Sequence, residues 1–182
     1  MRRTIVNCGP RRCLAVFALC AGAAFLAAPI GAETEARDDV IPRLQGQPNG
    51  GCNISVVGLE FGNYDIHNPQ PLDSFSTLTF NCSPIPGEGS VRNVRIQISR
   101  GSSPTFFPRT MVGPGGNLNY NLFLDATRQT VWGDDSGGTD DYFLDRPQPN
   151  QDTTVPIYGR VEPLQPVSGG RYMDLLTVTI LF

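Results

Sequence analysis

The sequence ends in Leu175-Leu176-Thr177-Val178-Thr179-Ile180-Leu181-Phe182, and this stretch decides which fold we predict. Successive side chains of a β-strand point to opposite faces, so Leu176, Val178, Ile180 and Phe182 share one apolar face. Burying such side chains is worth roughly 1.5 to 3 kcal/mol each, which places the strand in a hydrophobic core. We expect no further strand after Phe182 to cover that core.

Upstream, the same two-residue alternation recurs in short segments that are rich in β-branched and aromatic residues. The 20 glycines and 16 prolines cluster between these segments, as expected of turns. No segment has the apolar spacing of three and four that is typical of a helix, so we expect almost no helix. Short strands at this spacing favour an antiparallel β-sandwich of two sheets. The predicted strands are residues 52–61, 74–82, 91–99, 117–125, 153–158 and 171–182.

Six strands are one fewer than a closed seven-stranded sandwich needs. A missing strand would leave an apolar groove and an unpaired sheet edge, which folded proteins avoid. We therefore expect another chain to supply it. The alternative is that Arg109–Val112 or Gln129–Trp132 is the seventh strand and the sandwich is complete. The alternation alone does not separate the two interpretations.

Residues 1–32 have the layout of a cleavable secretory signal. Four arginines precede an apolar run at residues 14–28, and Ile30-Gly31-Ala32 is a short stretch suited to cleavage after Ala32. A membrane anchor is the alternative, but Pro29 ends the run before it reaches the roughly 20 residues that span a bilayer. A lipoprotein attached through Cys20 is a further alternative, although residues 17–19 lack the small residue expected just before such a cysteine.

Cleavage after Ala32 changes the charge and the cysteine count of the chain. There is no lysine, and the mature chain keeps ten arginines against 17 acidic residues, a net charge of −7. This balance disfavours nucleic acid and anionic membranes as partners. Only Cys52 and Cys82 remain, and in an oxidising compartment we expect them to form a disulfide, worth about 3.7 kcal/mol on the chain-entropy model. A zinc site is the alternative, but two thiols and one histidine make a poor ligand set.

Residues 33–51 are polar apart from Val40, Ile41 and Leu44, and we predict a flexible leader there. Residues 52–182 form the predicted β-domain.

Few residues of this chain suggest a chemical site, and we predict no catalytic residue, metal or cofactor. His67 lies in a predicted turn without a nucleophile elbow or an oxyanion loop, so a solvated turn histidine is the simpler interpretation. The acidic stretch 134–141 offers oxygen ligands for calcium but lacks the spacing of an EF-hand loop, and a charged solvent loop is the alternative. Trp132 is either a core anchor or an exposed contact residue.

Taken in order, several motifs from Cys52 to Phe182 resemble the spore coat U domain family. Each motif is weak alone, whereas the ordered set is quite specific. After Cys52 the set consists of Leu59-Glu60-Phe61-Gly62-Asn63-Tyr64-Asp65, Cys82, Arg109-Thr110-Met111, Leu118-Asn119-Tyr120-Asn121-Leu122, Val131-Trp132-Gly133, Ile157-Tyr158-Gly159-Arg160, Gly170-Arg171-Tyr172-Met173-Asp174 and Thr177-Val178-Thr179.

The resemblance implies an incomplete immunoglobulin-like sandwich that is a subunit of an archaic chaperone–usher pilus, a secreted fibre used in surface attachment and biofilm formation. It implies donor-strand complementation, in which an extended segment of another protein adds a strand to an exposed sheet edge. A periplasmic chaperone would donate first, and the leader of a neighbouring subunit would replace it at the outer-membrane usher. The acceptor groove would then include Leu176, Val178, Ile180 and Phe182.

Val40, Ile41 and Leu44 are the candidate donor residues of the leader. Pro42 removes one ladder hydrogen bond, and only Val40 and Leu44 share a face, so this leader could fill few pockets. We therefore expect a minor or terminal subunit.

The resulting prediction is a non-enzymatic pilus subunit that is exported through the periplasm to an extracellular pilus or the cell surface. An adhesin-like terminal member that binds a surface through its loops is one alternative. A self-complete secreted β-sandwich that binds a ligand or calcium, or a secreted hydrolase, is the other.

Overall fold

The structure is a computed structural model that describes the backbone of residues 6–9, 12–22 and 51–182, and the side chains of residues 51–182. Eleven β-strands and no helix occur in these ranges, which confirms the all-β prediction. The strands are β1 Val6–Gly9, β2 Arg12–Gly22, β3 Gly51–Val56, β4 Glu60–Asn63, β5 Leu72–Ser83, β6 Val94–Ile98, β7 Arg109–Gly113, β8 Gly116–Phe123, β9 Tyr142–Leu144, β10 Thr153–Val161 and β11 Arg171–Leu181.

One layer of the molecule consists of β3, β5, β10, β8 and β7, in that spatial order, with antiparallel pairing throughout. Burial alternates along β5 and β10, as it does in strands with one face on a core. Leu78 and Phe80 of β5 and Ile157 of β10 are almost completely buried.

The second layer is built around β11. On one side β11 pairs with β6 through Val178–Leu181, and β6 pairs with β9. On the other side β11 pairs along its whole length with β2. Buried side chains of β6 and β11 belong to the same hydrophobic core as those of β5 and β10, so the two layers form a sandwich.

The predicted strand pattern needs three corrections. Residues 52–61 form two strands, β3 and β4, since Val57–Leu59 are not paired as strand. Residues 109–113 are a strand, whereas Gln129–Trp132 contributes only two isolated bridges, from Val131 to Phe123 and from Trp132 to Asp140. The short strand β9 escaped prediction because its three residues are too few for an alternation.

The alternative in which Arg109–Val112 is a further strand of the sandwich is confirmed, but this strand does not lie along the free edge of β11. This segment pairs with β8 as a hairpin and meets β11 only where Val112 lies opposite Met173. It therefore does not cover the long edge of β11 on which β2 lies.

Candidate functional site: the strand position beside β11

The strand position between β11 and β4 is the feature that a partner could use, and we call it the β2 position. Here β2 runs antiparallel to β11, from Arg12 opposite Leu181 to Gly22 opposite Arg171. Its other edge pairs in parallel with β4, with Cys20 opposite Glu60 and Gly22 opposite Asn63. The position therefore joins the last strand of the chain to one of the first strands of the domain.

The core face of β11 is apolar along its C-terminal half. Leu176, Val178 and Ile180 are fully buried. Phe182 is only partly buried. Its ring lies beside Gly51, because a Cβ added to that glycine would be 3.4 Å from the ring. Three of the four predicted groove residues thus line the core beside the β2 position, while Phe182 lies at its end, next to the start of β3.

The strand that occupies the β2 position comes from the same chain, whereas the strand count led us to expect one from another chain. Residues 12–22 lie entirely within the segment predicted as a secretory signal. The predicted donor residues Val40, Ile41 and Leu44 lie outside the described residues.

The N-terminal half of β11 is held by polar contacts from its own domain. The Asp174 carboxylate is buried and accepts hydrogen bonds from the Ser102 backbone N–H at 2.8 Å and from the Tyr120 hydroxyl at 2.7 Å. Burial, with the adjacent Asp174 carboxylate, raises the pKa of Tyr120 well above its ordinary value. Gly101 has a φ of 64°, and a Cβ there would collide with the Asp174 carboxylate.

A second buried polar group, Arg109, ties the adjacent loops to β8. Its Nη1 donates to Asn121 Oδ1 at 2.7 Å, its Nη2 donates to the Trp132 carbonyl at 2.6 Å, and its Nε donates to the Ser99 carbonyl at 3.0 Å. The guanidinium also lies 4.8 Å from the centre of the Phe106 ring. Burial lowers the pKa of Arg109 to about 10.

Sequence reasoning missed both Arg109 and Asp174 as buried charges. For Asp174 a signal was available, because it lies two residues before Leu176 and so shares the core-facing side of β11. A charged residue in phase with a buried strand face must find polar partners inside the fold.

The predicted disulfide is present in the structure. The sulfur atoms of Cys52 and Cys82 are 2.04 Å apart, and both residues are buried. The two residues lie opposite each other in the β3–β5 pair, so the bond crosslinks neighbouring strands near the Phe182 end of the sandwich.

The remaining residues that the sequence singled out, His67, Trp132 and the acidic loop, make local contacts within the fold. His67 is exposed in a turn, where its backbone N–H donates to Asp65 Oδ1. Trp132 is fully buried and donates to the Ile96 carbonyl at 2.8 Å, so the interpretation as an exposed contact residue is wrong. In the acidic loop, Arg95 contacts Asp135 at 2.8 Å and Asp141 at 2.9 Å.

Among the side chains of residues 51–182, no group of three or more His, Cys, Asp or Glu residues is arranged to hold a metal ion. No helix with the length and hydropathy of a membrane span occurs in the described part of the chain.

Comparison with known proteins gives the family. The Spore Coat Protein U domain model matches residues 44–179. This chain belongs to the Spore Coat Protein U domain family. A curated relative, Protein U of Myxococcus xanthus, is 30% identical over 155 residues, which cover 73% of this chain and 78% of the relative. The family resemblance of the sequence motifs is thereby confirmed.

A solved structure is also similar to this chain. It is the CsuC–CsuE chaperone–tip adhesion subunit pre-assembly complex from archaic chaperone–usher Csu pili of Acinetobacter baumannii. The alignment has a TM-score of 0.48 and 17% identity, and it covers 73% of this chain and 40% of that chain.

Proposed function

We propose that this chain is a structural subunit of a secreted chaperone–usher pilus and that it folds stably only when another protein supplies a strand at the β2 position. The observation that carries the proposal is the origin of β2. The residues that occupy the position belong to the segment that export is predicted to remove. The mature subunit would then have the rest of the sandwich but no strand between β11 and β4.

Losing β2 would have a large energetic effect. The backbone of β11 would lose its pairing partner along residues 171–181. The buried side chains of Leu176, Val178 and Ile180 would lose the cover of a neighbouring strand. At roughly 1.5 to 3 kcal/mol for each large apolar side chain, partial exposure of this face is comparable to the whole stability of a typical domain. An added strand restores both the pairing and the cover.

The partners follow from this requirement. A periplasmic chaperone supplies the strand before assembly, and the leader of a neighbouring subunit supplies it in the fibre, after exchange at an outer-membrane usher. With Pro42 between its apolar residues, the leader of this chain is a weak donor, which supports a minor or terminal place in the pilus. Surface attachment and biofilm formation are the roles that the family implies for such a fibre outside the cell.

The proposed role is structural and includes no catalysis. The only histidine, His67, lies in an exposed turn, and the buried charges Arg109 and Asp174 are engaged in hydrogen bonds within the fold. These features support a binding and scaffolding protein.

The decisive experiment compares residues 33–182 with a donor-fused form of the same chain. Because β2 is antiparallel to β11 and starts opposite Leu181, a copy of residues 12–22 can be attached after Phe182 through a short glycine-containing turn. Cys13 and Cys20 are replaced by serine in this copy. The matched control carries a glycine- and serine-rich peptide of the same length.

We expect residues 33–182 and the control to aggregate, and the donor-fused form to be monomeric with one cooperative thermal transition. Size-exclusion chromatography and circular dichroism measure both properties. If residues 33–182 alone are monomeric and melt cooperatively, the chain is a self-complete sandwich and the proposal is wrong.

A further inference from the structure

Three large apolar side chains are exposed together beside the β2 position, and we call them the outer patch. Val112 of β7 is 52% exposed, and Met173 and Leu175 of β11 are 36% and 60% exposed. Met173 lies directly opposite Val112, and Leu175 lies two residues further along the same face of β11. Side chains placed in this way form one contiguous apolar surface.

The outer patch is continuous with the β2 position through the register of β11. Met173 and Leu175 lie opposite positions 20 and 18 of β2. In an antiparallel pair, directly opposite side chains share a face of the sheet, so any strand at the β2 position places two of its side chains beside the patch. Further along β11, the next outward residues are Thr177 and Thr179, which separate the outer patch from the partly buried Leu181.

Phe143 and Phe75, two other exposed apolar residues of the described domain, lack this relation to the β2 position. Phe143 of β9 has the Arg95 guanidinium 5.8 Å from its ring centre. Phe75 belongs to β5, in the opposite layer, where it lies opposite Tyr158. The outer patch, by contrast, includes two residues of β11, the strand that pairs with β2.

The leader of this chain does not match the patch. When Val40 and Leu44 point to the core, Ile41 is the only large apolar residue on the outward face of the segment. The other outward residues there are Asp39, Arg43, Gln45 and Gln47. A polar segment leaves exposed apolar surface uncovered, so the patch fits a different donor.

We infer that the strand-donating chaperone covers the outer patch as well as the β2 position, with apolar residues opposite Met173 and Leu175. This inference rests on the proposed function and deepens it. The chaperone thereby binds one end of β11 on both faces, whereas a leader with the sequence of this chain's own would bind mainly the core face. Release of the chaperone then requires loss of the outer-patch contact as well as exchange of the strand.

The test uses the mature chain, produced in the periplasm together with a tagged pilus chaperone from the same organism. The variant is V112S/M173S/L175S. The matched control is I66S/F75S/L164S, whose three residues are 38%, 72% and 57% exposed and lie outside β7 and β11. Dissociation of each purified complex is followed after addition of excess untagged chaperone.

We expect the outer-patch variant to dissociate from the chaperone at least about tenfold faster than the parent, since central apolar contacts dominate binding energy. The control should stay within about twofold of the parent. In the donor-fused form, the outer-patch variant should keep the melting temperature of its parent, which shows that the substitutions leave the fold intact.

Equal dissociation rates for the parent and the outer-patch variant would overturn this inference while leaving the proposed function standing. A large fall in melting temperature of the donor-fused variant would also overturn it, because the patch would then belong to the fold. If the parent forms no complex with the chaperone, the proposed function and this inference both fail.

Discussion

The two halves of β11 are stabilised in different ways. The N-terminal half is held by Asp174, whose carboxylate accepts hydrogen bonds from Ser102 and Tyr120 of the same domain. The C-terminal half carries the apolar core face of Leu176, Val178 and Ile180, and its backbone pairs with β6 on one edge and with β2 on the other. One half of β11 is thus held by polar side-chain contacts and the other by apolar packing, and under the proposed function the apolar half lies beside the strand that a partner supplies.

This difference has a functional use under the proposed mechanism. Hydrogen bonds to a buried carboxylate are directional, so the Asp174 contacts fix the register of β11 relative to the loop at residues 99–103. Apolar contacts are less directional, so different donor strands can occupy the same groove. A fixed register with an adaptable groove suits exchange of one donor for another.

The largest effect on stability is expected from a substitution that removes the polar contacts at the N-terminal half of β11. Asp174→Ala leaves the buried Tyr120 hydroxyl and the partly buried Ser102 N–H without their acceptor, and we expect the donor-fused protein to lose about 3 to 5 kcal/mol of unfolding free energy. Urea unfolding measures the loss. Asp145→Ala, at an aspartate with a 55% exposed side chain, should change it by less than about 0.5 kcal/mol. Equal effects of the two substitutions would show that the Asp174 contacts contribute little.

Removing the disulfide tests whether the Phe182 end needs a covalent constraint. The double variant C52S/C82S should lose about 3.7 kcal/mol, because a closed loop with a sequence separation of 30 no longer restricts the unfolded chain. Denaturant unfolding of the donor-fused form measures this, with the reduced parent as the control. A reduced parent as stable as the oxidised one would contradict the prediction.

A substitution in the apolar half should affect donor binding as well as stability. Leu176→Ala removes a fully buried side chain, and we expect a loss of about 3 kcal/mol from the donor-fused protein. In the mature chain it should also weaken retention of the chaperone. Leu181→Ala, at a partly buried position of the same strand, is the control and should cost less. Unchanged chaperone retention by Leu176→Ala would contradict the division of β11 into two halves.

The smallest expected effect is a pH dependence of stability that comes from the contacts at the N-terminal half of β11. The folded-state pKa of Tyr120 is raised. Its contribution to the unfolding free energy is therefore complete below the unfolded-state pKa of about 10, and it is lost as the pH rises through the folded-state pKa. Tyr120→Phe should cost about 1 to 2 kcal/mol at neutral pH, and its deficit relative to the parent should shrink above about pH 10. Unfolding free energies of both proteins between pH 7 and 11 measure this. A deficit that stays constant over this range would show that Tyr120 is not the source of any pH dependence of stability.

Local pattern was sufficient for the strands that have one buried face. The alternation in residues 74–82 and 171–182 predicted β5 and β11 because the two-residue period follows directly from strand geometry. The division of residues 52–61 into β3 and β4 was not predicted, although the buried positions change phase between Val56 and Leu59, which marks the break in the strand. Pairing partners are chosen by the whole sheet and not by the segment.

The candidate site was predicted in part. Leu176, Val178 and Ile180 were identified from their shared face, and the structure buries all three. Their use as an acceptor groove stays a prediction. The polar contacts at the other end of β11 were not predicted, because the donors to Asp174 are 72 and 54 residues away in sequence.

By itself, the sequence determined the all-β class, the family, the pair of cysteines available for a disulfide and the apolar face of the last strand. These follow from composition, residue spacing and the alternation of side chains, which are local properties of a chain. Only the tertiary structure decided which strand lies beside β11, that Arg109 and Asp174 are buried with partners, and that Val112, Met173 and Leu175 form one exposed surface. Each of these depends on contacts between residues that are far apart in sequence, and such contacts are settled when the two layers pack.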